Sequence, residues 1–158
     1  MNKTLIMSVL AAVAVLGVVF AGIILYRLNP IGLTADAAEE VPLLNSYWAV
    51  VEMDGTPFAM SEEIAREPHM VLRLDDNRLS GFSGCNTIMG SYTLDGDTLT
   101  FPDGIAMTRM ACPGGMETER AFSDVLQRTT NWSIKGETLS LSDEDGAVIG
   151  VFERRLME

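Results

Sequence analysis

Two short segments carry the only two cysteines of the chain. One is Gly81-Phe-Ser-Gly-Cys-Asn-Thr-Ile-Met-Gly-Ser-Tyr92; the other is Thr108-Arg-Met-Ala-Cys112. Short alternating stretches and turn residues surround both. Laid side by side, the segments fix a small, strand-rich body, and that constrains the fold more than any other feature. Outside the cytoplasm Cys85 and Cys112 would close a 26-residue loop and stabilise the fold by roughly 3–4 kcal/mol on a loop-entropy argument. Two buried free thiols, acting as small hydrophobes, are the alternative.

The flanking pattern is that of local hairpins. Tyr47–Met53 is rich in aromatic and β-branched residues and ends at Asp54-Gly55, a turn pair. Met70–Leu74 and Arg78–Phe82 follow, separated by Asp75-Asp76-Asn77. Glycines 81 and 84 in this pattern predict a bulge or a close backbone approach. Ser91–Leu94, Asp95-Gly96 and Asp97–Phe101 form a hairpin signature, and Ile105–Met110 reads as a further strand. Between Thr56 and Pro68 the chain is polar and acidic, with one helical turn expected at 61–66.

After Pro113-Gly114-Gly115, Met116–Thr129 is the one good helix. Phe122, Val125, Leu126 and Thr129 share a face at spacings of three and four. Glu117 and Glu119 in its first turn and Arg128 in its last suit the helix dipole. Strands at Asn131–Ile134, Thr138–Leu141 and Ala147–Phe152 complete the chain. About eight short strands with one helix predict a mainly β, α+β domain. Its sheet should be antiparallel and curled, or an open barrel.

The N-terminal region is of another kind. Leu5–Leu25 is apolar except for Ser8, and as a helix would reach roughly 31 Å, the thickness of a bilayer core. Residues 1–28 therefore read as a membrane anchor, or as a signal segment cleaved after Ala37 to give a secreted domain. Residues 29–42 read as a tether and residues 43–158 as the domain. The cysteine pair places that domain on the extracytoplasmic side. Removing Lys3 and Arg27 leaves 9 basic residues against 22 acidic ones, a charge of −13 beyond residue 27. Such a surface repels phosphate backbones, so nucleic acid is not an expected partner.

These residues resemble the META domain, also called HslJ-like. The match lies in Gly84-Cys85-Asn86, Gly90-Ser91-Tyr92, Asp95-Gly96 with Leu99 and Phe101, Thr108-Arg-Met-Ala-Cys112, Glu119-x-x-Phe122 with Leu126, and Leu139-x-Leu141. It spans about residues 44–155. Thr87 and Ile88 stand where the family often has Arg and an aromatic. The resemblance implies a small β-rich envelope domain linked to stress response, with no established enzymatic activity. It supplies no ligand.

Candidate chemistry is sparse. His69 is the only histidine: a zinc set lacks a second imidazole, and a Ser-His-Asp arrangement would have to use His69 without any Gly-x-Ser-x-Gly elbow in the chain. Asp143-Glu144-Asp145-Gly146 and Asp95-Gly96-Asp97 read as hairpin tips rather than calcium or acid–base sites. Met107, Met110 and Met116 flank Cys112; soft sulfur can hold Cu(I), but core filling is the expected role. Asn86 is expected to hold the Gly-rich bend through its amide. Gly84, Gly90, Tyr92, Thr108 and Met110 complete the structural motif. No catalytic set, metal or cofactor is expected.

Two functions follow as expectations. The first is a non-enzymatic, membrane-tethered module that contacts an envelope protein. The second is a carrier or sensor of an apolar ligand, in a cleft between sheet and helix lined by Phe82, Ile88, Met89, Phe101, Met107, Phe122 and Trp132. A hydrolase is the least supported reading.

Overall fold

The structure, a computed structural model, describes residues 41–156. The expected anchor at Leu5–Leu25, the expected cleavage after Ala37 and nearly all of the expected tether lie outside the described residues. Among the described residues no helix is long and apolar enough to cross a membrane. Val41, inside the expected tether, is already buried with Leu43.

Eleven strands form one antiparallel sheet: β1 Tyr47–Met53, β2 Thr56–Pro57, β3 His69–Arg73, β4 Arg78–Phe82, β5 Thr87–Ser91, β6 Thr93–Asp95, β7 Thr98–Thr100, β8 Ile105–Met107, β9 Asn131–Lys135, β10 Thr138–Ser142 and β11 Val148–Arg155. The order across it is β6-β7-β9-β10-β11-β1-β3-β4-β5-β8, with β2 paired to β1. The sheet curls into a half-barrel. Register slips between Val50 and Glu52 and between Leu141 and Ser142 add bulges that sharpen the bend. The single helix of the domain, α1, runs Met116–Arg128.

Alternation explains which residues face inward. Trp48, Met70, Leu72, Leu79, Leu139, Leu141 and Phe152 are fully buried. From α1, Phe122, Val125 and Leu126 close onto them. Phe122 meets Phe152 edge to face, with ring centroids 6.0 Å apart, as ring quadrupoles prefer. Each such fully buried side chain is worth about 1.5–3 kcal/mol relative to exposure. Two of the polar groups that enter the core are satisfied by nearby carbonyls. Trp48 Nε1–H donates to the Leu43 carbonyl at 2.9 Å, and Thr129 Oγ1–H to the Val125 carbonyl at 2.7 Å.

Three expectations need correction. β8 ends at Met107, not Met110. Ser61–Arg66 makes one hydrogen-bonded turn, Ile64 N–H to the Ser61 carbonyl at 3.1 Å, and no helix. β2 and β5 are strands where none was expected, β5 lying inside the Gly-rich stretch itself. For Gly81, where a bulge or a close backbone approach was expected, the close approach holds: the residue is a regular member of β4. A Cβ there would lie 2.2 Å from the His69 carbonyl oxygen, so the glycine permits close strand approach.

Candidate functional site

Between β4 and β5 the chain makes a tight bend, Ser83–Asn86, that is wholly buried. Ser83 N–H donates to the Asn86 carbonyl at 2.9 Å, and Asn86 N–H donates back to Ser83 Oγ at 3.2 Å. The Ser83 hydroxyl lies 2.8 Å from Glu119 Oε2, which ties the bend to the first turn of α1. Gly84 sits at φ +101°, and a Cβ would come within 2.9 Å of Thr118 Cγ2. Only glycine suits both demands.

Asn86 acts as one more peptide unit. Its Oδ1 accepts from Met110 N–H and from Thr108 Oγ1–H, both at 2.8 Å. Its Nδ2–H donates to the Met110 carbonyl at 3.2 Å. Thr108 Oγ1 accepts from Thr87 N–H at 3.2 Å, and Thr108 N–H reaches the Thr87 carbonyl at 3.1 Å. Side chains thus continue the β5–β8 pairing where the strand itself has ended. Beside this clamp, the Cys85–Cys112 disulfide links the bend to the 108–115 segment, with Cα atoms 5.6 Å apart. No free cysteine exists. Cys85 is buried and Cys112 half-buried.

The clamp presents a groove of about 450 Å³, lined by Asn86, Ile105, Met107, Thr108, Arg109, Met110, Ala111, Met116 and Glu119. Met110 is 60% exposed and Met116 43%. Core filling therefore describes Met107, which packs against the core edge, but not the other two. In the sequence Glu119 stood out as a residue favoured by the helix dipole and as part of the Glu119-x-x-Phe122 match; its contact with Ser83 was not visible.

The remaining motif residues are structural. Gly90 pairs with Leu79 and Ile105 within the sheet. Buried Tyr92 donates its hydroxyl to the Arg73 carbonyl at 2.9 Å; burial, then the nearby Asp76, raises its pKa.

The seven residues assigned to an apolar cleft do not share one. Phe82, Ile88, Phe101 and Phe122 are buried in the interior. Met89 is 47% exposed on the opposite sheet face from Ile88. Met107 lines the groove by the disulfide, whereas Trp132 lines a separate one with Val41, Leu43 and Asp97. Trp132 Nε1–H donates to the Gly96 carbonyl at 3.1 Å.

His69 stacks on Tyr47 at 4.3 Å and its Nδ1 faces the Glu67 carbonyl at 3.1 Å. Burial lowers its pKa. Burial, and then the Glu67 carboxylate, pushes the Tyr47 hydroxyl up to about 12. Asp143 Oδ1 accepts from Asp145 N–H and Ala147 N–H, so that acidic stretch is a hairpin turn. Arg128, unassigned from the sequence beyond its helix position, bridges Asp54 at 3.0 Å and Asp124 at 2.7 Å. Among the described residues, no cluster of three or more His, Cys, Asp or Glu side chains is arranged to hold a metal.

With this geometry in place, comparison with known proteins is direct. The chain is similar to a Burkholderia xenovorans protein solved by NMR: 28% identity, TM-score 0.57, 81% of this chain and 99% of that one. A crystal structure of a DUF4847 family protein from Bacteroides vulgatus shares the fold at 16% identity and TM-score 0.52, over 73% of this chain and 96% of that one. Another NMR structure aligns at 23% identity and TM-score 0.53, covering 73% and 95%. No curated protein matches. The META domain family model matches residues 41–155, and the chain belongs to that family.

Proposed function

We propose that this protein is a non-enzymatic, membrane-tethered module on the extracytoplasmic side, acting in envelope maintenance or stress tolerance by docking another envelope protein. The observation that carries the reading is the methionine-bearing groove. Its backbone is clamped by a disulfide and by the Asn86 amide, yet Met110 and Met116 are left in water. Methionine on a surface adapts to varied apolar partners, and a stiff frame lowers the ordering cost of binding. The Leu5–Leu25 run supports the tether. His69 is packed against Tyr47 and the Asp143 carboxylate is engaged in its own turn, so these two do not form an acid–base pair for a hydrolase.

The test is photo-crosslinking of the full-length chain in its native membranes. A photoreactive residue at Met110 should capture one defined envelope protein, and the same residue at Leu74, exposed on the β3–β4 turn, should not. Equal capture from both positions, or none from Met110, overturns the reading.

A further inference from the structure

Three of the chain's 10 methionines fall within residues 107–116. They come from three different places, β8, the clamped segment and the first position of α1, yet all line one groove. Met107 is half-buried at the core edge; Met110 and Met116 are exposed. Methionines left in water forgo the favourable transfer that burial provides, and nothing within the domain covers these two. Their neighbouring cysteines are oxidised to a disulfide, so the soft donors of the groove are thioethers alone.

We infer that the groove is a binding site for a soft monovalent d¹⁰ cation, Cu(I), held by the Sδ atoms of Met107, Met110 and Met116. Thioether donors select Cu(I) over the harder divalent ions. Zn(II) would need thiolate, imidazole or carboxylate ligands, and the one histidine lies elsewhere, stacked on Tyr47. Glu119, on the same lining, contributes a carboxylate that favours a cation nearby; Arg109, also on the lining, opposes it. The disulfide and Asn86 fix the Met110 backbone relative to β5, so the site is framed before the ion arrives. Thioethers carry no proton to displace, so binding is independent of pH where thiolate or imidazole sites weaken in acid.

The inference rests on the groove's lining and not on a docked protein. Its test is anaerobic titration of the full-length chain in detergent micelles against a chromophoric Cu(I) chelator. One equivalent of Cu(I) should leave the chelator, equally at pH 7.5 and pH 5.5. Replacing Met107, Met110 and Met116 together by Leu, which conserves volume, should weaken binding roughly 100-fold or more. Should the triple variant misfold, Met110→Leu with Met116→Leu alters only exposed positions and reads the same loss. With ¹³C-methyl methionine and Ag(I) as a redox-silent probe, those three methyl resonances should move. Retention of copper by the chelator, unweakened binding by the variants, or shifts confined to other methionines would overturn the assignment. Cu(I) binding without a Met110 crosslink would keep this inference and sink the docking reading; a crosslink without Cu(I) binding would do the reverse.

Discussion

Beneath α1, Phe122, Val125 and Leu126 meet Phe152 and the inner face of the sheet, and shape and burial alone hold them. At the other region, around Cys85 and Cys112, order comes from a covalent bond and from side chains that stand in for backbone. The first region spends its large apolar side chains inside. The second leaves two methionines outside. A packed core gives stability with little choice of what to present. A polar clamp fixes the backbone and frees the side chains above it for contact.

That contrast can be broken most forcefully at Phe122. Phe122→Ala should destabilise the domain by about 3–5 kcal/mol, because a fully buried ring leaves a cavity. Urea unfolding measures it. In the remaining folded fraction, the Met110 crosslink and the Cu(I) affinity should be unchanged. A loss of either would mean that the two regions are not separable.

Opening the disulfide acts on both properties. Replacing Cys85 and Cys112 by Ala should cost roughly 3–4 kcal/mol by the loop-entropy relation, and should also loosen the groove. Denaturation of the variant, alongside hydrogen exchange of the 108–112 amides, reads the two effects together. Unaltered exchange there would show that Asn86 alone is sufficient to hold the segment.

Asn86→Ala is smaller. It leaves the Met110 N–H and carbonyl and the Thr108 hydroxyl without their partner, at about 1 kcal/mol for each hydrogen bond lost. A drop of roughly 2–3 kcal/mol in unfolding free energy is the expected outcome. A loss below about 0.5 kcal/mol would mean that water replaces the amide readily.

How much of this could be read in advance follows from the physics of each part. Hairpins at Asp54-Gly55, Asp95-Gly96 and Lys135-Gly136 are legible because a turn with positive φ demands such residues. The helix is legible because its buried face repeats at three and four. The cysteine pairing followed from two cysteines in a chain with an export-like start. Strand β5 was hidden because glycines interrupt its alternation, leaving Ile88 inward and Met89 outward as its only apolar signal. The length of β8 was overestimated for a related reason. Thr108–Met110 does pair, but with the Asn86 side chain, and no local pattern records a partner more than twenty residues away. Methionine composition cannot say which face a side chain takes, so the exposed groove emerged only from the fold.

The subtlest comparison concerns His69, which belongs to neither region and stacks on Tyr47 at the start of β3. Burial lowers its folded-state pKa, with the Arg66 charge acting in the same direction and Glu67 opposing. Below its ordinary value near 6.5, the unfolded chain binds this proton more readily than the folded one. Its contribution therefore favours folding above that value. It declines as pH falls through about 6.5 and levels off once the folded ring also protonates. Carboxylates titrate in acid too, so the readout is the difference between the parent chain and His69→Gln. Between pH 7.5 and 5.5 the parent should lose more stability than the variant, by under about 1 kcal/mol for a half-buried ring. Parallel pH profiles would show that the stack on Tyr47 accepts the imidazolium at no cost, and that a half-buried ring at the start of β3 is more permissive to charge than its packing implies.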